Sequence, residues 1–215
     1  MSEIKEAPAA SRAYLAMERM IVTLDLAPGS LTTEQALVER VGLGRTPVRE
    51  AIQRLAWEGL LEVRPRAGLA VAPLNASDWL RVIDARRGVE IVLARSAARF
   101  VTPEAADLFH AAAIAMQQAV IGGDVIAFLE ADKAVDDAMA RAADNPFAAR
   151  VAAPLQSHSR RFWFRYRRET GLAPAAEHHV EIIRAVSSGD EYAAAEAAAG
   201  LMDLLRANAE AVARG

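Results

Sequence analysis

Between Gly42 and Pro73 the chain reads GLGRTPVREAIQRLAWEGLLEVRPRAGLAVAP, and its arginines are spaced to hold phosphate. A guanidinium offers a planar fork of N–H donors that suits phosphate oxygens and guanine edges. Arg45, Thr46 and Arg49 fall at the start of one amphipathic segment, with Arg54 further along it, and Arg64, Arg66 and Gly68 surround a chain reversal. Val48, Ile52 and Leu55 recur at three- and four-residue spacing beside Ala51 and Ala56, so one face packs and the other carries Arg49, Glu50, Gln53, Arg54 and Trp57. A core needs none of Arg45, Thr46, Arg49, Arg64 or Arg66, and their concentration points to double-stranded DNA. The plainer alternative is a pair of capped helices in which Glu50 and Arg54 form an exposed ion pair.

The elements that must position these residues follow from local signals. Thr46 and Pro47 are expected to open the arginine-bearing helix as N-cap and first-turn proline, and Gly59 to end it. Leu60 to Val63 and Leu69 to Val71 read as a hairpin whose tip is Arg64, Pro65, Arg66, Ala67 and Gly68. A preceding helix runs from about Thr33, capped by Thr32 or Thr33, through Ala36, Leu37 and Val41, and a short turn around Gly42 and Gly44 joins the two. The order is helix, turn, helix, wing, and the second helix of such a pair can enter a major groove by its N-terminal residues.

Charge and composition bound the possibilities. The net charge is −3, and the nine basic residues up to Pro73 are matched by nine acidic ones, so DNA affinity must come from the local patch and fall with salt. With 215 residues, 53% of them hydrophobic, the chain can bury the cores of two small domains, placed at residues 1–74 and 75–215. No apolar run is long enough for a bilayer, and Glu3, Lys5 and Glu6 stand where a secretory apolar segment would begin, so a cytoplasmic location is expected. The absence of cysteine excludes disulfides and thiolate metal sites.

Beyond Pro73 alanine becomes abundant and alternation disappears, which predicts an all-helical domain and a mainly α fold overall. Capping signals divide it into six helices, starting near Asn75 or Ser77, Thr102 and Pro103, Asp124, Asn145 and Pro146, Pro174, and Asp190. In the third, Asp132 and Asp136 share a face beside the apolar Phe128, Leu129, Val135 and Met139, either as site carboxylates or as solvated edge residues. His178 and His179 lie in the fifth, and one of them could face inward beside Ile182 and Ile183, as a site residue or as a satisfied core histidine. Arg86 and Glu90 stand one turn apart and can form an ion pair. The stretch SRRFWFRYRRE, Ser159 to Glu169, puts Phe162 and Tyr166 on one face and Arg161, Arg165 and Arg168 on another. That is a packed helix with a charged exterior, although some of these arginines could line a pocket or a subunit contact. Single-strand nucleic-acid binding is the competing reading.

The segment RTPVREAIQRLAWEGLLEVRPRAGLAV, with APGSLTTEQALVERVG upstream, resembles the winged helix-turn-helix of the GntR family of bacterial transcription regulators. The resemblance implies that Arg45, Thr46 and Arg49 contact bases and phosphates and that Gly68 enters the minor groove at the wing tip. Gly44 stands where the family usually has serine. The remainder resembles the FCD effector-binding domain of the FadR branch, in its six-helix VanR-like form, through Arg86 and Glu90, through Asp132 to Pro146 and through HHVEIIRAVSSGD. It implies a homodimer that responds to a small metabolite, an organic acid above all, with Arg86, Asp132, Asp136 and His179 at the effector site.

Many members of that family hold a divalent metal such as zinc, manganese or nickel through one aspartate and three histidines. Here Asp132 and His179 match those types, Asp136 takes a histidine position, and Leu201 takes the last, where leucine cannot ligate. The expectation is therefore a transcription repressor, with a reduced metal site of Asp132, Asp136 and His179 as an option. A metal-dependent enzyme built on the same three residues is the rival, as is a sensor that binds no DNA. The chain lacks a nucleophile elbow, a phosphate loop and an HExxH motif.

Overall fold

The computed structural model describes residues 7–66 and 68–214, with the backbone alone at 168–170. Ala67 at the expected hairpin tip, the Arg168 side chain, and Glu3, Lys5 and Glu6 lie outside what is described. The chain divides between Asn75 and Ala76 into two compact units.

The first unit is ordered α1 (Ala9–Val22), β1 (Leu31–Thr32), α2 (Glu34–Val41), α3 (Arg45–Trp57), β2 (Leu61–Arg64) and β3 (Gly68–Val71). Its core joins Ala13, Tyr14, Met17 and Ile21 of α1 to Leu37 of α2, Val48, Ile52 and Leu55 of α3, and Leu60, Leu61, Leu69 and Val71 of the hairpin. Helix α1 is an addition to the sequence reading. Its signal is the spacing of Ala13, Tyr14, Met17 and Ile21, which defines one apolar face. Thr33 caps α2 by accepting from the Ala36 amide at 3.1 Å, and Gly42, at φ 70°, ends it in the left-handed conformation that glycine adopts freely.

The start of α3 differs from expectation. Gly44, not Thr46, occupies the N-cap, and Thr46 lies inside the first turn with its side chain exposed. A glycine cap costs only a few tenths of a kcal/mol relative to a hydroxyl cap, and Gly44 has no side chain to cap the first helical amides. The three strands form an antiparallel sheet in the order β1-β3-β2, with Leu31 opposite Ala70 and Arg64 opposite Gly68. Strand β1 makes the hairpin a three-stranded wing. It also explains Gly68, where an added Cβ would lie 2.8 Å from the Thr32 carbonyl oxygen and where φ is +90°.

Among the described residues the second unit contains six helices: α4 (Ala76–Phe100), α5 (Pro103–Gly122), α6 (Val125–Ala142), α7 (Pro146–Thr170), α8 (Ala173–Ser187) and α9 (Glu191–Arg214). Polar caps start four of them. Thr102, Asp124, Asn145 and Asp190 accept from backbone amides two or three residues ahead. The core is aromatic at its centre, with Trp79 stacked on Phe162 and Phe128 stacked on Trp163, at centroid separations of 6.0 and 5.0 Å. Helix α4 packs on α7 and α9, and α6 and α8 complete the surroundings of one internal polar cluster. No helix among the described residues is long and apolar enough to cross a membrane.

Candidate functional site

The residues singled out in the sequence fall into two groups, one in each unit. On the first, Arg45, Thr46 and Arg49 are exposed at the start of α3, and Arg64, Arg66 and Gly68 are exposed at the wing. Neither Arg45 nor Arg49 is sealed inside the unit. The Arg49 side chain keeps 60% of its surface exposed while its Nε and one terminal nitrogen donate to Glu34 at 3.1 and 2.8 Å. Those hydrogen bonds lower the Glu34 pKa and raise that of Arg49. Arg45 donates to Gln35 at 3.3 Å, and Arg64 to Glu62 at 2.8 and 3.1 Å. Arg66 holds a positive φ of 65°, which turns the hairpin.

Arg54 is placed differently from its companions. Its guanidinium covers the Tyr14 ring at 3.6 Å and donates to Glu58 at 2.9 Å, while Glu58 also accepts from the Tyr14 hydroxyl at 2.8 Å. Burial, reinforced by Glu18 and Glu58, drives the Tyr14 pKa far above its ordinary value, so the hydroxyl stays a donor. Arg54 therefore ties α3 to α1. The Glu50–Arg54 pair considered from sequence gives way to Arg54–Glu58.

In the second unit, i,i+4 spacing on successive helices turns polar side chains to one interior point. On α4, Arg86 donates twice to Glu90 Oε1, at 2.9 and 2.7 Å, and Gln156 of α7 donates to the same oxygen at 3.1 Å. On α7, one terminal nitrogen of Arg160 lies 2.5 Å from Asp136 Oδ2 and 3.3 Å from Asp132 Oδ2. On α8, His179 Nε2 is 2.8 Å from Asp132 Oδ1, and its Nδ1 is 2.7 Å from the Ala175 carbonyl. Asp132 contacts both His179 and, like Asp136, Arg160, and Arg86 lines the same pocket as Asp132, Arg160 and His179.

The electrostatics follow from burial. Burial works against an ionised Asp132, but the hydrogen bond from His179 and the charges of His179 and Arg160 outweigh it and hold its pKa well below the usual carboxylate range. Burial likewise works against a charged His179, yet the hydrogen bond and charge of Asp132 reverse this and raise the imidazole pKa. Burial and the adjacent Asp132 push the Asp136 carboxyl up to about 7, against the pull of Arg160. Arg86 keeps its charge because Glu90, Asp136 and Asp132 offset its burial.

The pocket is lined by Arg86, Phe128, Leu129, Trp163, Leu201 and Leu205 together with the polar cluster, and its cavity measures about 30 Å³. That is room for roughly two water molecules. Trp163 is 4% exposed, and its indole N–H has no hydrogen-bond partner among the described residues. The sequence reading left open that some arginines of the Ser159 to Glu169 stretch line a pocket, but it did not single out Arg160, Gln156 or Trp163. Their spacing, at 156, 160 and 163, marks one face of α7, but in sequence Arg160 and Arg161 merge with a basic, outward-facing run. Both are buried, at 7% and 1% exposure.

The residues do not fit a metal. The space between the two aspartates holds a guanidinium, Leu201 supplies no donor, and no three metal-ligating side chains among the described residues are placed around one point.

Comparison with known proteins agrees with both halves. Residues 9–71 match the family model described as bacterial regulatory proteins, gntR family, and residues 81–204 match that of the FCD domain. The chain is 29% identical over 177 residues, 80% of this chain and 78% of the other, to a protein of Paenarthrobacter nicotinovorans described as "Probable D-xylose utilization operon transcriptional repressor". It is 42% identical over 81 residues to an HTH-type transcriptional regulator of Streptomyces ambofaciens, which covers 36% of this chain and only 33% of that protein. In fold it is similar to E. coli McbR/YncC, with a TM-score of 0.80 at 18% identity over 96% of this chain and 99% of the other.

Proposed function

The chain belongs to the gntR family of bacterial regulatory proteins, in the branch that carries an FCD domain, and on that premise we propose how its two units divide the work of a transcription repressor. It is a regulator and not an enzyme. Arg45, Thr46 and Arg49 at the start of α3 read and grip operator DNA, with the uncapped first turn of the helix offering amides to a phosphate. Arg64 and Arg66 hold the backbone beside the wing, and Gly68 lets the wing lie close to the minor groove. Arg54 supports this surface by fixing α3 against Tyr14 and does not itself touch DNA. One short helix reads too few bases for genomic selectivity, so two copies bind a pseudo-palindrome. The protein works in the cytoplasm.

The observation that carries the sensing half is that Arg86, Arg160, His179 and Trp163, whose indole N–H has no partner among the described residues, line one small pocket. These are N–H donors, and the ligand they suit is a small organic acid, whose carboxylate accepts from a guanidinium fork. A cavity of about 30 Å³ is smaller than such a molecule. Its entry must exchange carboxylate partners on Arg86 or Arg160 or part the helices that bear them. A ligand that binds one arrangement better than another shifts the population by that difference, which is how the second unit releases the first from DNA.

A mobility-shift titration on the DNA upstream of the protein's own gene, with and without a panel of small organic acids, tests the whole reading. A specific complex that an acid dissociates is expected. If the protein prefers no DNA sequence, the regulator assignment of the first unit fails. If no acid changes the complex or the melting temperature, the ligand assignment fails.

A further inference from the structure

The pocket of the second unit has two kinds of wall. Its cationic groups come from α4, α7 and α8, as Arg86, Arg160 and His179, and each already has a carboxylate partner. Arg86 is held by Glu90, Arg160 by Asp136 and Asp132, and His179 by Asp132, so three cationic groups stand against three carboxylates. One entering negative charge can be met by an exchange of partners on a guanidinium. A second finds no further cation among the described lining residues and is buried unpaired. The remaining wall is apolar. Helix α9 contributes Leu201 and Leu205, both buried and one turn apart on a shared face, and α6 contributes Phe128 and Leu129. Phe128 is stacked on Trp163 of α7 at 5.0 Å, so two rings extend this wall. Apart from the charged groups, the polar side chains lining the pocket among the described residues are Ser159 and Trp163.

We infer that the effector is a monocarboxylate with an apolar body, its carboxylate taken by Arg86 or Arg160 and its body laid against Leu201, Leu205, Phe128 and Leu129. The inference rests on the reading of this pocket as the site of an organic acid and adds which acids it admits. Dicarboxylates are turned away by their second charge. Sugar acids are turned away by hydroxyls that an apolar wall leaves unpaired, since a buried polar group without a partner costs more than an apolar contact returns. A carboxylate oxygen can also supply the acceptor that the Trp163 indole N–H lacks among the described residues. The cavity of about 30 Å³ is smaller than any such body, so the leucine and phenylalanine side chains move apart as it enters. Each methylene that enters leaves water for an apolar contact.

The test is isothermal titration calorimetry on the full chain, with melting temperature in parallel, using butanoate, hexanoate, adipate, gluconate and hexanol as probes. Hexanoate should bind about tenfold more tightly than butanoate, at roughly three- to fourfold for each buried methylene, and should raise the melting temperature by mass action. Adipate and gluconate, of the same carbon number, and hexanol, which has no carboxylate, should each bind at least about tenfold more weakly than hexanoate. Leu201→Gln puts an amide into the apolar wall and should narrow the margin of hexanoate over adipate by about tenfold, with Leu205→Gln as the second variant. If neither variant folds, the margins on native protein decide. Adipate or gluconate binding as tightly as hexanoate overturns the inference and leaves the organic-acid reading standing. So does a pocket that takes none of these probes while another acid dissociates the DNA complex. Hexanol binding as tightly as hexanoate overturns both, because the carboxylate then contributes nothing.

Discussion

Replacing Arg160 with methionine in metal-free buffer should expose the cost of two buried carboxylates side by side. Arg160 is 7% exposed, and the side chains of Asp132 and Asp136 keep only 15% and 13% of their surface. Methionine fills much of the arginine stem's volume, so the change is chiefly one of charge. His179 still pairs with Asp132, and the carboxylate left without its 2.5 Å partner is Asp136. Breaking a buried ion pair from one side typically costs about 3–5 kcal/mol, a large part of the roughly 5–15 kcal/mol that holds a domain folded.

The loss should depend on pH in a definite direction. The folded-state pKa of Asp136 is already pushed up to about 7, above its unfolded value, so its contribution to stability is full below the unfolded pKa and is lost as pH rises through the folded one. Arg160 lowers that pKa, so the variant's carboxyl takes up a proton more readily still. The penalty of Arg160→Met is therefore greatest at pH 8 and shrinks toward pH 5.5. Urea unfolding followed by circular dichroism at the two pH values measures it, and adding Asp136→Asn to the variant should recover most of the loss at pH 8. A loss below about 1 kcal/mol at pH 8, or one equal at both pH values, would mean that water reaches the carboxylates and that the cluster is not a buried charge network.

Other substitutions separate the roles assigned above. Gly68→Ala forces a Cβ against the Thr32 carbonyl at 2.8 Å in a left-handed backbone, and should destabilise the wing unit by about 2–3 kcal/mol in thermal unfolding. Arg54→Ala should cost stability of about 0.5–1 kcal/mol, discounted because half its side chain is exposed, and should leave the salt dependence of DNA binding unchanged. Arg45→Ala should instead reduce the slope of log affinity against log salt by about 0.9 for each phosphate that the arginine neutralises, read by fluorescence anisotropy across a salt series. Arg86→Ala should remove the response to organic acids while operator binding persists, read by mobility shift with and without the acid.

Much of this molecule is legible in its sequence because the signals are local. The starts of α5, α6 and α7 are given by Thr102, Asp124 and Asn145, each of which forms the cap its residue type suggests. The i,i+4 spacing of Asp132 and Asp136 likewise places both on one interior face. What escapes is long-range. Strand β1 is two residues long and exists only because β3 lies beside it, and Thr32 carries no mark of that pairing. Gly44 takes the cap expected of Thr46 because backbone conformation, not hydroxyl chemistry, sets the first residue of α3.

Arg160 is the larger omission. A buried arginine is legible only when its carboxylates are known to face it, and these lie 24 and 28 positions away on another helix. Read along the chain alone, it merges with exposed neighbours such as Arg165.

The most direct measurement is the affinity of the full chain for DNA from its own upstream region, against a scrambled duplex of the same length, for native protein and Arg49→Ala. The account predicts that the native chain prefers its own upstream DNA by a factor of about a thousand or more, on the order of specific regulators, and that Arg49→Ala loses most of that preference while remaining folded. Equal affinity for the two duplexes, or an Arg49→Ala protein that discriminates as the native chain does, would contradict it.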